Sequence, residues 1–286
     1  NLVRFQQVKD SILPSGFKRV LLVESPTQSE LITASDPLAS ILVPIDWNND
    51  RKLEVVVGTT NGKVYIEGGA ELLSENGSAI TALTPWDADQ DGDLDLLVSR
   101  NNTFLLRNNG DQTVSVIPLD APPLSSASII DIDEDGAVDI VGIANNKLVV
   151  LKNERSGKIH TMDISFNETM RDLVVGDFIN DGWMDIAWIG EDGVAYIGKN
   201  THINTFSPEK IGGHGYAITA ADIDNDTRLD LIVIGDTIQL FHGNGVTSEL
   251  DATGSVQIVD ADQDGDLDLA INGEGYAVWE QVGTPP

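Results

Sequence analysis

Six acidic clusters recur along this chain at nearly constant spacing, and no other feature restricts its fold so sharply. They begin at Asp46, Asp87, Asp131, Asp177, Asp222 and Asp260, with separations of 41, 44, 46, 45 and 38 residues. Repetition at such a period marks one supersecondary unit copied in tandem, and units of about 40–45 residues suit the four strands of a propeller blade. The apolar pattern repeats with the same period. Around the third cluster, Ala127 to Ile130 leads into Asp131, Val138 to Ile143 leaves it, Lys147 to Lys152 follows an Asn-rich turn, and the more polar Ile159 to Ile164 comes last. Such short runs, without a 3.6-residue stripe, read as strands. The sequence therefore predicts an all-β chain. Residues 1–286 are expected to form a single β-propeller domain of four-stranded antiparallel blades, with acidic loops between first and second strands.

Six loops account for residues 39–286. Residues 1–38 are expected to form a degenerate first blade, with Val3 to Val8, Lys18 to Val23 and Glu30 to Ala34 laid over three strands and Asp10 left alone at the loop position. Seven blades are favoured on that count. A six-bladed ring, closed by an N-terminal strand added to the final blade, stays open, because the last repeat ends near Trp279 without an outer strand.

The clusters follow the pattern D-x-D-x-D-G-x-x-D. Carboxylates at positions 1, 3 and 5 converge when the chain turns sharply, glycine at position 6 permits the turn, position 7 offers a backbone carbonyl, and position 9 closes the cage. Hard oxygen donors in this arrangement suit Ca2+. Three loops are complete: Asp87, Asp89, Asp91, Asp93 and Asp95; Asp131, Asp133, Asp135 and Asp139; and Asp260, Asp262, Asp264, Asp266 and Asp268. Asp93 and Asp266 occupy position 7. The loop of Asp222, Asp224, Asp226 and Asp230 keeps its carboxylates but carries Thr227 in place of glycine. In the loop of Asp46, Asn48, Asp50 and Glu54, an amide replaces one carboxylate and Arg51 replaces the glycine. The loop of Asp177, Asp181 and Asp185 has Ile179 at position 3, which makes it the weakest candidate. Three to six calcium ions are expected. An isolated acidic turn would mean little, since Asp, Asn and Gly are ordinary turn residues. Six copies in phase, each with an acid at position 9, carry the metal reading.

Charge agrees with it. The formal net charge is −29, from 46 acidic and 17 basic residues, and the loops hold 25 of those acids. Without cations they would repel one another, and nucleic acid would be repelled everywhere. A hydrophobic content of 41% argues against disorder, and the absence of cysteine rules out disulfides and thiolate metal sites. No run approaches the roughly 18 apolar residues of a membrane-spanning helix, and residues 1–10 lack the apolar core of a signal peptide. The sequence reads as a monomeric soluble domain, mature or excised from a longer chain, that does not insert into membranes.

Catalysis is not expected. His160, His202, His214 and His242 are scattered without metal or triad spacing, and no nucleophile motif occurs. Among the tryptophans, Trp188 reads as core, Trp47, Trp86 and Trp183 as packing over the loops, and Trp279 as the one a blade seam could expose to a sugar.

At these residues the chain resembles the FG-GAP and VCBS repeat propellers, a group that includes the integrin α head domain and several lectins. Asp87 to Val98 and Leu105 to Asp111 look like the VCBS form, and the "GAP" tripeptide of integrin repeats is missing. The resemblance covers residues 40–280. It implies structural calcium clips on one face and ligand recognition on the other face or between blades, by turns such as Thr59 to Lys63 and connections such as Asp120 to Ser126. The expected function is a non-catalytic recognition or adhesion module for a protein or glycan, placed outside the cell or at its surface, or in the periplasm of a bacterium. The alternatives are a lectin proper and an accessory domain of a secreted enzyme.

Overall fold

β-Branched and leucine-rich runs bounded by Gly, Asn and Asp become strands throughout. The computed structural model describes residues 5–7, 17–22, 36–74, 77–154, 158–162, 164, 166–202, 205–260, 265–272 and 276–281. The chain opens with β1 (Phe5–Gln7) and β2 (Phe17–Leu22). Five four-stranded antiparallel sheets follow, each a meander of consecutive strands. They are β3 (Ala39–Ile45), β4 (Glu54–Thr59), β5 (Val64–Ile66) and β6 (Glu71–Leu73); β7 (Ala82–Trp86), β8 (Asp95–Ser99), β9 (Thr103–Asn108) and β10 (Val114–Pro118); β11 (Ser126–Ile130), β12 (Asp139–Ala144), β13 (Lys147–Asn153) and β14 (Ile159–Met162); β15 (Asp172–Gly176), β16 (Asp185–Ile189), β17 (Ala195–Asn200) and β18 (Phe206–Gly212); and β19 (Ala217–Ala221), β20 (Asp230–Ile234), β21 (Ile238–Phe241) and β22 (Thr247–Leu250). The sixth sheet contains β23 (Ser255–Val259), β24 (Asp268–Asn272) and β25 (Tyr276–Gln281). No helix is long and apolar enough to cross a membrane among the described residues.

The N-terminal strands end up elsewhere than their expected degenerate blade. β2 pairs antiparallel with β25, Val20 facing Val278, and β1 pairs with β2, so the sixth sheet has five strands in the order β1-β2-β25-β24-β23. The outer strand that the last repeat lacks in sequence is thus supplied by residues 17–22. Among the described residues, 1–38 form no sheet of their own; Asp10 and Glu30 to Ala34 lie outside them.

Contacts gather the chain into two compact units, Glu30–Thr169 on one hand and Asn1–Ser29 with Met170–Pro286 on the other. In each unit the apolar residues of successive sheets interdigitate. In the first, Val56 and Val64 pack with Leu96, Val98 and Leu106, and the far face of that second sheet, through Leu97 and Leu105, meets Leu124, Ile140 and Leu151. In the second, Ala187 and Ile189 meet Leu231 and Val233, while Ile232 and Leu240 meet Leu269 and Ile271. The second strand of a sheet is covered on both sides, so β8, β12, β16 and β20 are buried at every residue. That is why they read as unbroken apolar runs instead of alternating. In β18, a fourth strand, Ser207 to Lys210 are all exposed. Trp188 is core as expected, 1% exposed and stacked on Tyr196; Trp47 and Trp86 are buried beside their loops.

Candidate metal centres

Each acidic loop joins the first strand of a sheet to the second, and one hydrogen-bond scheme shapes the first five. In the second loop, Asp87 accepts the N–H groups of Asp91 and Gly92, both at 3.1 Å, and Asp91 accepts that of Asp93 at 2.9 Å. The third loop repeats this with Asp131 accepting from Asp135 and Gly136, and the fifth with Asp222 accepting from Asp226 and Thr227. The chain turns through left-handed conformations at position 4 (Asn49, Gln90, Glu134, Asn180, Asn225) and position 6. Position 6 is where glycine is expected, and Arg51 (φ 67°) and Thr227 (φ 73°) hold the same conformation at a steric cost. The fourth loop keeps the scheme through Asp177, Asp181 and Asp185 even with Ile179 at position 3, because positions 1, 5 and 9 set the backbone.

The acid at position 9 begins the second strand of its sheet and is wholly buried at Asp95, Asp139, Asp185 and Asp230. One of its oxygens accepts the position 2 N–H (Ala88 at 3.0 Å for Asp95), and the other accepts an N–H at the end of the third strand (Asn108 at 2.8 Å). Asp139 does the same with Ile132 and Asn153. Burial pushes both carboxyls up to about 6, against the pull of those N–H donors, and the neighbouring loop carboxylates push the same way. Glu54, one carbon longer, accepts from Trp47 N–H and from the Asn48 side chain.

Four groups of ligand atoms lie within 4.8 Å of one another among the described residues: Asp87, Asp89 and Asp95; Asp131, Asp133 and Asp139; Asp222, Asp224 and Asp226; and Asp224, Asp230 and His242. The first and second bring positions 1, 3 and 9 together, without the position 5 acids Asp91 and Asp135. The third gathers positions 1, 3 and 5. Asp89 Oδ1 is buried with no hydrogen-bond partner, and burial followed by repulsion from Asp91 raises its pKa. Buried, crowded oxygens of this kind fit a hard divalent cation.

Two expected contributors are engaged differently. The carboxylates of Asp93 and Asp266 accept hydrogen bonds from Asn49 and Asn225 of the preceding loops, each at 2.6 Å, so these side chains tie successive loops together. In the sixth loop, Asp260 accepts from Gly265 N–H and Asp268 is buried, while Asp262 and Asp264 lie outside the described residues.

Sequence reasoning passed over the third strand. Its terminal asparagines Asn108 and Asn153 are buried, and their side chains donate to the carbonyls of Trp47 and Ala88 in the preceding loops at 2.9 and 3.0 Å. The residue just before reaches into its own loop: Arg107 lies 3.6 Å from Asp89, and Lys152 pairs with Asp133 and, at 3.0 Å, with Asp135. His242 takes that place in the fifth loop, beside Asp224 and Asp230, and is therefore not the isolated histidine its spacing suggested. The signal was present in the repeated pairs Arg107-Asn108, Lys152-Asn153 and Lys199-Asn200. In the fourth loop, where position 3 is Ile179, Lys199 turns to Glu209 instead.

Residues 131–188 and 177–233 match the model of the FG-GAP-like repeat. Residues 131–233 carry FG-GAP-like repeats. A lectin of Agrocybe aegerita, described as recognising non-reducing terminal N-acetylglucosamine, superposes with a TM-score of 0.58 at 17% identity, covering 86% of this chain and 74% of the lectin. BBS1N, from its complex with ARL6DN, superposes at 0.57 and 16% identity, covering 88% of this chain and 82% of that one. No curated protein sequence matches the chain. At such identities the likeness concerns the fold alone, a propeller-like fold of four-stranded antiparallel sheets.

Proposed function

We propose that this chain is an extracellular, non-catalytic recognition module whose FG-GAP-like loops are clipped by structural calcium. In this reading there are six blades, β1 and β2 completing the sixth sheet. The observation that carries it is the second loop, where oxygens of Asp87, Asp89 and Asp95 stand within 4.8 Å of one another and Asp89 Oδ1 is buried without a hydrogen-bond partner. Asp131, Asp133 and Asp139 repeat the arrangement. Calcium there would neutralise carboxylates that otherwise repel, and the remaining loops would bind more weakly. Three to six ions per chain are expected.

The experiment is thermal unfolding with and without a chelator, combined with metal counting. Ions that bind only the folded state stabilise it by mass action. A raised melting temperature in millimolar calcium with at least three bound ions is the expected result; identical melting in chelator and in calcium would sink the structural role.

The ligand class is a protein or a glycan. A glycan is favoured by one feature, a cleft of about 470 Å3 beside the first loop, where polar side chains such as Asn48, Glu54, Asp93 and Gln112 stand beside the apolar Ile66 and Leu72 and the buried Trp47. The solved lectin with this fold supports the same class. A glycan array in calcium, run beside a pull-down, separates the two, and silence on the array with a recovered protein partner removes the glycan.

A further inference from the structure

The fifth loop differs from the others in having a nitrogen donor. His242 Nε2 lies 3.1 Å from Ser248 Oγ, which fixes the ring, while Nδ1 is buried and faces the Asp224 and Asp230 carboxylates at separations too long for a well-formed hydrogen bond, although their proximity favours the protonated ring. The His242 side chain is 10% exposed, that of Asp224 9% and that of Asp230 0%. Nδ1 stands 3.5 Å from Asp224 Oδ2 and 3.4 Å from Asp230 Oδ2. Those separations suit atoms that share an ion: ligands about 2.0–2.1 Å from a tetrahedral metal are about 3.3 Å apart.

The surrounding contacts hold the set without exhausting it. Asp230 Oδ2 accepts Ile223 N–H at 2.9 Å and Oδ1 accepts Gly243 N–H at 2.9 Å. Asp224 Oδ2 is 3.4 Å from Asn244 Nδ2, and Oδ1 is 3.3 Å from Asp226 N–H. Each carboxylate oxygen retains a lone pair, and a Ser248-anchored ring is oriented as metal-ligating histidines are by an outer hydrogen bond. Asp222 and Asp226 cluster with the same Asp224, so further oxygens stand alongside. The equivalent third-strand positions beside the second, third and fourth loops are Arg107, Lys152 and Lys199, which cannot serve as ligands.

We infer that the fifth loop is a mixed nitrogen and oxygen metal site, formed by His242 Nδ1 with the carboxylates of Asp224 and Asp230, that selects a divalent transition ion of the zinc and cobalt class over calcium. Imidazole favours such ions, whereas calcium prefers oxygen alone. The rival role is that of a protonated His242 acting as an internal cation, as Lys152 does in the third loop. This site does not depend on calcium filling the other loops.

The test uses chelator-stripped protein held in excess calcium and titrated with Zn2+ or Co2+. One equivalent is expected to bind, with a Co2+ absorption spectrum characteristic of nitrogen ligation, and His242→Gln should weaken it at least about tenfold. No binding in calcium, or binding indifferent to His242→Gln, would overturn the site. Should that variant fail to fold, the imidazole 15N spectrum of the parent protein serves instead: Zn2+ should move the His242 Nδ1 resonance, and a resonance unmoved by Zn2+ refutes ligation. A calcium titration of the same sample, read by melting temperature, reports separately on the structural calcium role.

Discussion

The side-chain amide of Asn153 donates to the carbonyl of Ala88 at 3.0 Å, joining the end of one sheet's third strand to the acidic loop of the sheet before it. Ala88 N–H is meanwhile held by Asp95, so a single loop residue is gripped from two repeats. Asn153→Ala leaves a buried carbonyl without its donor, and such losses cost about 1–3 kcal/mol. Denaturant unfolding should show a loss of that size with little change in slope, and a variant as stable as the parent would show the link to be idle.

Lys152 lends its positive charge to Asp133 and Asp135. A metal ion in that loop must compete with it. Lys152→Met should therefore lower the melting temperature of chelator-treated protein, by the equivalent of about 1 kcal/mol for a partly exposed pair, while increasing the stabilisation gained on adding calcium. Paired melting curves check both arms.

Thr227 holds φ 73° at a turn position where Gly92, Gly136, Gly182 and Gly265 stand in other loops. A β-branched residue there is strained by about 1–2 kcal/mol. Thr227→Gly removes the strain but gives the unfolded chain more freedom, so a net gain of about 0.5–1 kcal/mol is expected in chemical denaturation.

Asp172 accepts Ile218 N–H at 2.9 Å from the first residue of β15, outside the metal loops. Burial raises its pKa above the ordinary carboxylate value of 3.8, outweighing that hydrogen bond and one from Leu173 N–H. A raised folded-state pKa means that the folded protein binds the proton more tightly. Its contribution is present in full below the unfolded pKa and is lost as pH rises through the folded one. Asn at this position keeps the acceptor and does not ionise. Asp172→Asn should then melt at least as high as the parent at pH 7, with the difference shrinking below about pH 4. A gap that widened on acidification would contradict the assignment.

Much of the architecture could be read from the residues because it is local. Strands such as Asp139–Ala144 and the loops between them follow from short apolar runs and Asp-Gly turns a few residues apart, and the 38–46 residue period multiplies that signal. The destination of residues 1–38 was not legible in that way. Pairing Val20 with Val278 joins segments more than 250 residues apart, and no local pattern says whether a short strand founds a sheet or completes one. At the loops, spacing brought together Asp87, Asp89 and Asp95, which lie within nine residues of each other. It missed Arg107 and Lys152, which come in from the third strand, and His242, which follows it directly, across a register that only the folded sheet defines. Asp93 looked like one more acid in a cluster, and its engagement with Asn49 depends on how neighbouring repeats meet.

The pairing of β2 with β25 also imposes an order on biosynthesis. As the ribosome releases the chain, each four-stranded meander can zip up soon after its own residues emerge. Phe17–Leu22 must wait, its edge unsatisfied, until residues 276–281 have been translated. A ribosome stalled before that point would present an open strand edge, the kind of surface on which nascent chains aggregate or recruit chaperones.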